Sequence, residues 1–339
     1  MLNKKQYAVA PAMVMAFGIF INFALRFLLE RAIGDWSGAV LRVLSSLLVL
    51  LAAWVFLTIY RRFREDRSII WRLESSHFVL GVWAAGLNVA AAAAAANTPL
   101  PWLARSVNLA AWACWLLYMY WFARLQSAGQ GFRKSIFGSA FLLTVSTQST
   151  IVGTLAAWGP VRGLVWFFLA FNLLGLAFYV YVFVLVWVLR GPAEQWAEWR
   201  AANNITHGAL SISALALESI AARYGSIPWA VPVLNAVWAT ATLFFLTILG
   251  AELRLAFSAR RAAIFDFQYG NYARNFTYGM YFACTRFGFR SVEGFLARRL
   301  YGEGLFLALA LLVLTVNLWE GIRHAIYFFK EAEKWRTRI

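Results

Sequence analysis

Cysteine is almost absent from this chain: Cys114 and Cys284 are the only two in 339 residues, and both fall inside apolar stretches. Neither a disulfide framework nor a cysteine metal cluster is expected from such a pair. Histidine is nearly as scarce. His77, His207 and His324 lie in separate regions, too far apart in sequence pattern to suggest a metal centre. The seven prolines (Pro11, Pro99, Pro101, Pro160, Pro192, Pro228 and Pro232) sit at the ends of apolar stretches or in connections, so none breaks a helix centre. No HExxH, GxSxG or Walker-type motif occurs, and embedded carboxylates are too few for a relay of several acids. No enzyme activity and no cofactor are expected. Charge is also thin: 14% of residues are charged against 62% hydrophobic, which does not fit a soluble protein of this length.

What the chain has instead is apolar length. Ten stretches can be marked, at about 11–29, 40–60, 78–97, 106–123, 136–157, 163–189, 204–222, 229–249, 275–290 and 304–322. About 20 apolar residues in a helix cross the hydrocarbon core, and most of the ten reach that length. The ninth is weakest, interrupted by Arg286 and Arg290. Ten spans leave little chain for anything else, so the whole of 1–339 is expected to form one transmembrane domain. Lys4 and Lys5 before an apolar run have the look of a signal peptide. The run to Leu25 is too long and has no small-residue cleavage site after it, so it is expected to remain as the first span.

The stretches alternate in kind. The even-numbered ones carry Trp54, Trp112, Trp115, Trp121, Trp166, Trp187, Trp238 and Trp319, whereas the odd-numbered ones hold Trp83, with Trp158 at an end. The odd ones carry small and polar residues: Asn22, the alanine run Ala90–Ala96, the string Thr144, Ser146, Thr147, Gln148, Ser149, Thr150, and Asn204, His207 and Ser211. Large rings suit a lipid-facing wall, while small and polar residues suit close helix contacts or a wet path. The expectation is an all-α integral membrane protein whose ten transmembrane helices form five hairpins. The odd helices would form an inner pore ring and the even helices an outer ring.

The net charge of +16 suggests nucleic acid only until its distribution is examined. With the N-terminus placed inside, most Lys and Arg residues fall on that side. They are Lys4 and Lys5; Arg61, Arg62, Arg64, Arg67 and Arg72; Arg124, Arg133 and Lys134; Arg190 and Arg200; Arg254, Arg260, Arg261 and Arg274; and Arg323, Lys330, Lys334, Arg336 and Arg338. This bias puts both termini in the cytoplasm, with membrane lipids as partners and no role for nucleic acid. The segment Pro192–Arg200, with Glu194, Trp196, Glu198 and Trp199, reads as an amphipathic piece at the interface.

Span seven carries the densest polar stripe. At about 100° per residue, Asn204, His207, Ser211 and Glu218 share one side of the helix. Such a stripe faces protein or water, either as a hydrogen-bonded seam or as pore lining. Glu218 lies near the far end, within reach of a pairing with Arg286. In span five hydroxyls default to bonding their own backbone, and Gln148 is the residue expected to face the centre. Gly18 and Asn22 are one turn apart in span one, as are His77 and Gly81 entering span three, and Asn88 shares a face with His77.

Several of these segments resemble the tellurite-resistance/C4-dicarboxylate transporter family, relatives of the plant slow-type anion channels. Phe265-Asp266 followed by Asn275-Phe276-Thr277-Tyr278-Gly279-Met280-Tyr281-Phe282-Ala283-Cys284-Thr285 is similar to that family's aspartate-containing loop and the Phe-Pro-Leu-Gly-Met-Tyr run opening its ninth helix. Thr147-Gln148-Ser149 resembles an Ala-Thr-Gln-Ser stretch, and Asn204-Ile205-Thr206-His207-Gly208-Ala209-Leu210-Ser211-Ile212-Ser213 resembles the stretch of its seventh helix. His77-Phe78 fits the end of the family's charged loop before helix three. The likeness runs in order over nearly the whole chain. Thr277 stands where the family usually has proline, so Gly18, Gly81, Gly86, Gly153, Gly208 and Gly279 would have to supply any bends.

The resemblance implies a homotrimer in a bacterial inner membrane, each protomer with its own pore along the five odd helices. It also implies transport of small inorganic anions or dicarboxylates through a path plugged by a phenylalanine, here Phe276, with Tyr278 a second ring close by. Candidate pore-lining residues are Asn22, Asn88, Thr147, Gln148, Asn204, His207, Ser211 and Gly279. Hydroxyls, amides and helix N-terminal dipoles would ease an anion through the low dielectric, with the ring closing the constriction. A proton-coupled dicarboxylate carrier that titrates His207 and Glu218 is the alternative. A membrane enzyme built on the stripe of span seven ranks behind both.

Overall fold

A computed structural model describes residues 10–65, 79–127, 137–225, 227, 229–258 and 262–336. Lys4, Lys5, Arg67, Arg72, His77, Phe78, Arg133, Lys134, Arg260, Arg261 and Arg338 lie outside them. Every regular element among the described residues is helical. In order they are α1 (Pro11–Ile19), α2 (Arg26–Ile33), α3 (Ser37–Glu65), α4 (Val79–Asn97), α5 (Pro101–Ser127), α6 (Leu142–Trp158) and α7 (Val165–Phe183). These are followed by α8 (Pro192–Ala197), α9 (Ile205–Tyr224), α10 (Ala230–Ala256), α11 (Ala262–Phe265), α12 (Tyr272–Ser291), α13 (Ala297–Leu300) and α14 (Glu303–Arg336). A π-helical turn, Phe20–Leu25, joins α1 to α2, and another, Val184–Leu189, extends α7.

Seven segments among the described residues are long and apolar enough to cross a membrane. They are Pro11–Arg61, Leu80–Asn97, Gly138–Trp158, Val165–Leu189, Ala201–Tyr224, Ala230–Ala256 and Glu303–Lys330. The first takes in two of the ten expected spans. The remaining two expected spans, on α5 and α12, are helical over 27 and 20 residues but fall outside the seven. Asn108 and the Trp and Tyr rings lower the hydropathy of α5, and Arg274, Arg286 and Arg290 dilute α12.

Burial separates two kinds of helix. The most apolar windows of α4, α6 and α9 are 72%, 89% and 83% buried, against 39%, 28% and 28% for α7, α10 and α14. The buried helices pack in a closed sequence: α1 on α4, α4 on α6, α6 on α9, α9 on α12, and α12 back on α1. Around them α3 lies against α4, α5 against α4 and α6, α7 against α6 and α9, α10 against α9, and α14 against α12. Close approach comes from small residues, as where Ala94, Ala104 and Ala157 bring α4, α5 and α6 together. Gly208 takes the side chain of Thr277 where a Cβ would stand, and a Cβ on Gly279 would lie 2.6 Å from Ile19 Cγ2. These two glycines bring α12 up against α9 and α1. The glycines Gly81, Gly86, Gly153, Gly208 and Gly279 all lie within continuous α-helix, so they act as contact points. Among the five buried segments a π turn interrupts the first, beginning two residues after Gly18, and short 3-10 turns, Gly138–Phe141, Ala201–Asn204 and Tyr269–Asn271, lead into α6, α9 and α12.

The tryptophans correct one expectation. Trp54, Trp166 and Trp319 are exposed, as a lipid-facing wall requires, but four others turn inward. Trp112 donates its indole N–H to Thr154 Oγ1 (2.9 Å), Trp115 to Thr147 (3.1 Å), Trp187 to Thr206 (3.1 Å) and Trp238 to Thr285 (3.0 Å). Each bond joins a surrounding helix to a buried one. An indole N–H in an apolar setting needs an acceptor, and a threonine hydroxyl on the neighbouring helix supplies it. Such interhelical bonds are worth about 0.6–2 kcal/mol each in a membrane.

Candidate functional site

The five buried segments enclose a cavity of about 340 Å³, at the small end for organic ligands. All of its lining comes from these segments, and on each it begins near the middle and runs toward the C-terminus. The lowest lining residues are Ile19, Asn88, Ser149, Ile212 and Met280; the highest are Glu30, Ala96, Ala156, Arg223 and Arg290. The exposed positions of Glu30, Arg223 and Arg290 mark the mouth.

Four arginines, Arg26, Arg223, Arg286 and Arg290, face one carboxylate, Glu30, on this lining. Arg26 donates to Asn97 Oδ1. Arg286 pairs with Glu303 at 2.8 Å, and Glu303 also holds Arg31 at 2.7 Å. Arg286 further lies over the rings of Phe27 (4.9 Å) and Phe306 (4.8 Å). Glu218 is neither exposed nor paired with Arg286: it is fully buried, and Glu303 takes the guanidinium. Helix C-termini converge at this mouth, so the backbone dipoles there oppose an anion, and the N-terminal dipoles lie at the other end of the ring. The arginines offset that field.

Below the floor the ring is packed. Phe276 is fully buried, one turn beneath Met280 on the same face of α12, in one apolar cluster with Met15, Ala85 and Val145. Tyr278 points away from it. Its hydroxyl donates to Glu252 on α10 at 3.1 Å, and its ring lies 5.4 Å from Phe245. Glu252 is also bound by Asn204 (2.7 Å) and by buried Arg274 (2.8 Å). Phe276 therefore sits between two α12 residues, Arg274 and Tyr278, that are tied to the same carboxylate. Nearby, Glu320 accepts from Asn271 at 3.1 Å and meets Arg323 at 3.9 Å, which adds α14 to this end.

Of the residues singled out from sequence, Asn22 and Asn88 line the cavity. Asn88 is fully engaged. It donates to Ala84 O (3.0 Å) and Thr150 (3.1 Å) and accepts from Asn108 (2.9 Å). Asn22 donates weakly to Val89 O at 3.4 Å. The others turn elsewhere. Thr147 is taken up by Trp115. Gln148, expected at the centre, exchanges bonds with Asn172 on α7, both 2.9 Å long. Asn204 belongs to the Glu252 cluster, and Ser211 donates back to His207 O at 2.9 Å. His207 is boxed by Phe245 (5.3 Å), Tyr278 (5.9 Å) and Tyr281 (6.5 Å), and its ring nitrogens have no hydrogen bond among the described residues. Glu218, equally buried, likewise has none there. Gly279 is covered by Ile19.

Sequence reasoning missed Arg26, Arg223, Arg286 and Arg290 as a set, together with Ser149 and Ser219 as lining hydroxyls. Both serines donate to their own helix backbone, at 3.0 and 2.7 Å. No group of three His, Cys, Asp or Glu residues that could hold a metal ion occurs among the described residues. No protein-family model matches the chain, and no curated protein matches it.

Proposed function

We propose that the protein is a transmembrane anion channel or uniporter for small anions or C4-dicarboxylates. Its ten helices would cross the membrane as five hairpins, α1–α2, α4, α6, α9 and α12 forming the inner ring. The single observation that carries this reading is the cavity. It is lined by all five ring segments, bears four arginines against one glutamate, and ends one turn above a buried ring, Phe276. A positive, water-accessible vestibule raises the local concentration of anions. Few fixed charges lie deeper, so an anion is not trapped once past the mouth. Phe276 is the plug in this reading, because Tyr278 is occupied by Glu252. The resemblance noted above adds the inner membrane of a bacterium as the setting and a homotrimer as the assembly; the charge bias adds cytoplasmic termini, which would turn the vestibule outward.

The alternative, a proton-coupled dicarboxylate carrier, draws on one observation: His207 and Glu218 are buried without hydrogen-bond partners among the described residues. Anion efflux from liposomes separates the two readings. A channel predicts that Phe276→Ala raises chloride or succinate flux at least tenfold with no pH gradient. Flux that requires the gradient, is unchanged by Phe276→Ala and is lost in His207→Gln or Glu218→Gln would establish the carrier instead.

A further inference from the structure

The vestibule is too apolar for a site built solely for small hydrated anions. Above a floor at Met280 the lining includes half-buried Phe23 and Phe287, almost wholly buried Phe27 and Phe282, and Val152, Leu155 and Leu215. A path that serves chloride or a dicarboxylate alone gains no binding energy from so apolar a wall. An amphiphilic anion gains from both parts, because apolar surface leaves water while the charge stays at the wet rim. We infer that this cavity is a binding site for organic monocarboxylates with an apolar, ring-bearing body, the carboxylate held at Arg223 and Arg290 and the body lying among the phenylalanines. The inference rests on the reading of the cavity as the entrance of an anion path and names the substrate class that this entrance selects.

The charges are arranged for that division. Arg223 and Arg290 are exposed, in the last turns of α9 and α12, and their side chains make no hydrogen bond or ion pair among the described residues. Arg26 and Arg286, deeper and half-buried, are engaged by Asn97 and Glu303. The free guanidinium groups are thus the outer pair, and a guanidinium fork matches a carboxylate. An arginine in a last helical turn is also the ordinary complement to a helix dipole. Dipole complementation alone gives no reason for a ring-lined cavity beneath the same two residues, and it predicts no ligand.

The test is equilibrium binding to the full chain in nanodiscs, with empty nanodiscs as the control for partitioning into lipid. Three probes separate the contributions: 4-phenylbutyrate, which has both charge and ring; 4-phenylbutan-1-ol, which has the ring alone; and succinate, which has charge without an apolar body. The inference predicts saturable 4-phenylbutyrate binding, one per protomer and at least tenfold tighter than either comparison probe. Arg223→Gln with Arg290→Gln should weaken it at least tenfold, and Ala92→Phe, which fills the cavity wall, should abolish it. Succinate or the alcohol binding as tightly as 4-phenylbutyrate would overturn the inference, as would unchanged affinity in the double arginine variant. The Phe276→Ala protein separates this from the channel reading. Binding retained with no flux supports the site and removes the conduit, whereas flux with no saturable 4-phenylbutyrate binding removes the site and leaves the conduit.

Discussion

The C-terminal and N-terminal halves of the five-segment ring are made from the same helices, yet they place their polar groups in opposite ways. In the C-terminal half arginines and apolar side chains line a cavity. In the N-terminal half the axis is apolar around Phe276, and polar side chains reach outward to the surrounding helices: Asn204, Arg274 and Tyr278 to Glu252, and Asn271 to Glu320. The difference teaches that burial of a polar residue in a membrane ring says little about which side it faces. A polar group satisfied by an outer helix braces the wall, whereas one left facing the axis is available to a solute.

Breaking the brace in the N-terminal half should have the largest effect on stability. Glu252→Gln leaves Arg274 buried without its counter-charge, which costs about 3–5 kcal/mol. We expect a large fall in the detergent melting temperature, and wild-type melting would show that Glu320 alone suffices for Arg274. Forcing α9 and α12 apart comes next. Gly208→Val places side-chain atoms on Thr277, an overpacking cost of about 1–3 kcal/mol, and the same melting assay should report it. Removing a single clasp between rings is smaller: Trp238→Phe loses the bond to Thr285, about 1 kcal/mol. The smallest effect on stability belongs to the open half. Arg223→Gln with Arg290→Gln should leave the melt within about 0.5 kcal/mol of wild type, as for exposed sites. In a Phe276→Ala background the same pair should slow anion flux severalfold at low salt and little at high salt, because exposed charges are screened.

Much of the architecture was legible in the sequence, because helices of membrane length announce themselves by hydropathy and the buried ones by alanine, glycine and hydroxyl content. The sorting of tryptophan into alternate stretches was real, but its cause was only half lipid. Trp112, Trp115, Trp187 and Trp238 sit on surrounding segments in order to clasp threonines on buried ones, and a lone sequence does not reveal an acceptor on another helix. The site was less legible for a related reason. Periodicity placed Asn204, His207, Ser211 and Glu218 on one side of α9 without saying which neighbour that side meets. Asn204 proved to reach α10, and His207 lies among rings of α10 and α12. Of the vestibule arginines, Arg286 and Arg290 were read as interruptions of a span, and Arg26 and Arg223 carried no pattern that singles them out. Their convergence depends on five C-termini meeting at one end of the ring, a property of tertiary structure alone.

The most direct test of the conduit compares a cysteine placed above the plug with one placed at its level in the packed half, in a protein whose Cys114 and Cys284 have been replaced by serine. Ser149→Cys lies on the cavity floor, and Val145→Cys lies about one turn lower on α6, in the packed half. A membrane-impermeant anionic thiosulfonate applied from the vestibule side should modify Ser149→Cys in the protein with Phe276 intact. It should modify Val145→Cys rapidly only once Phe276→Ala is added. Rapid modification of Val145→Cys with Phe276 in place, or none after its removal, would contradict the assignment of Phe276 as the barrier between the two halves.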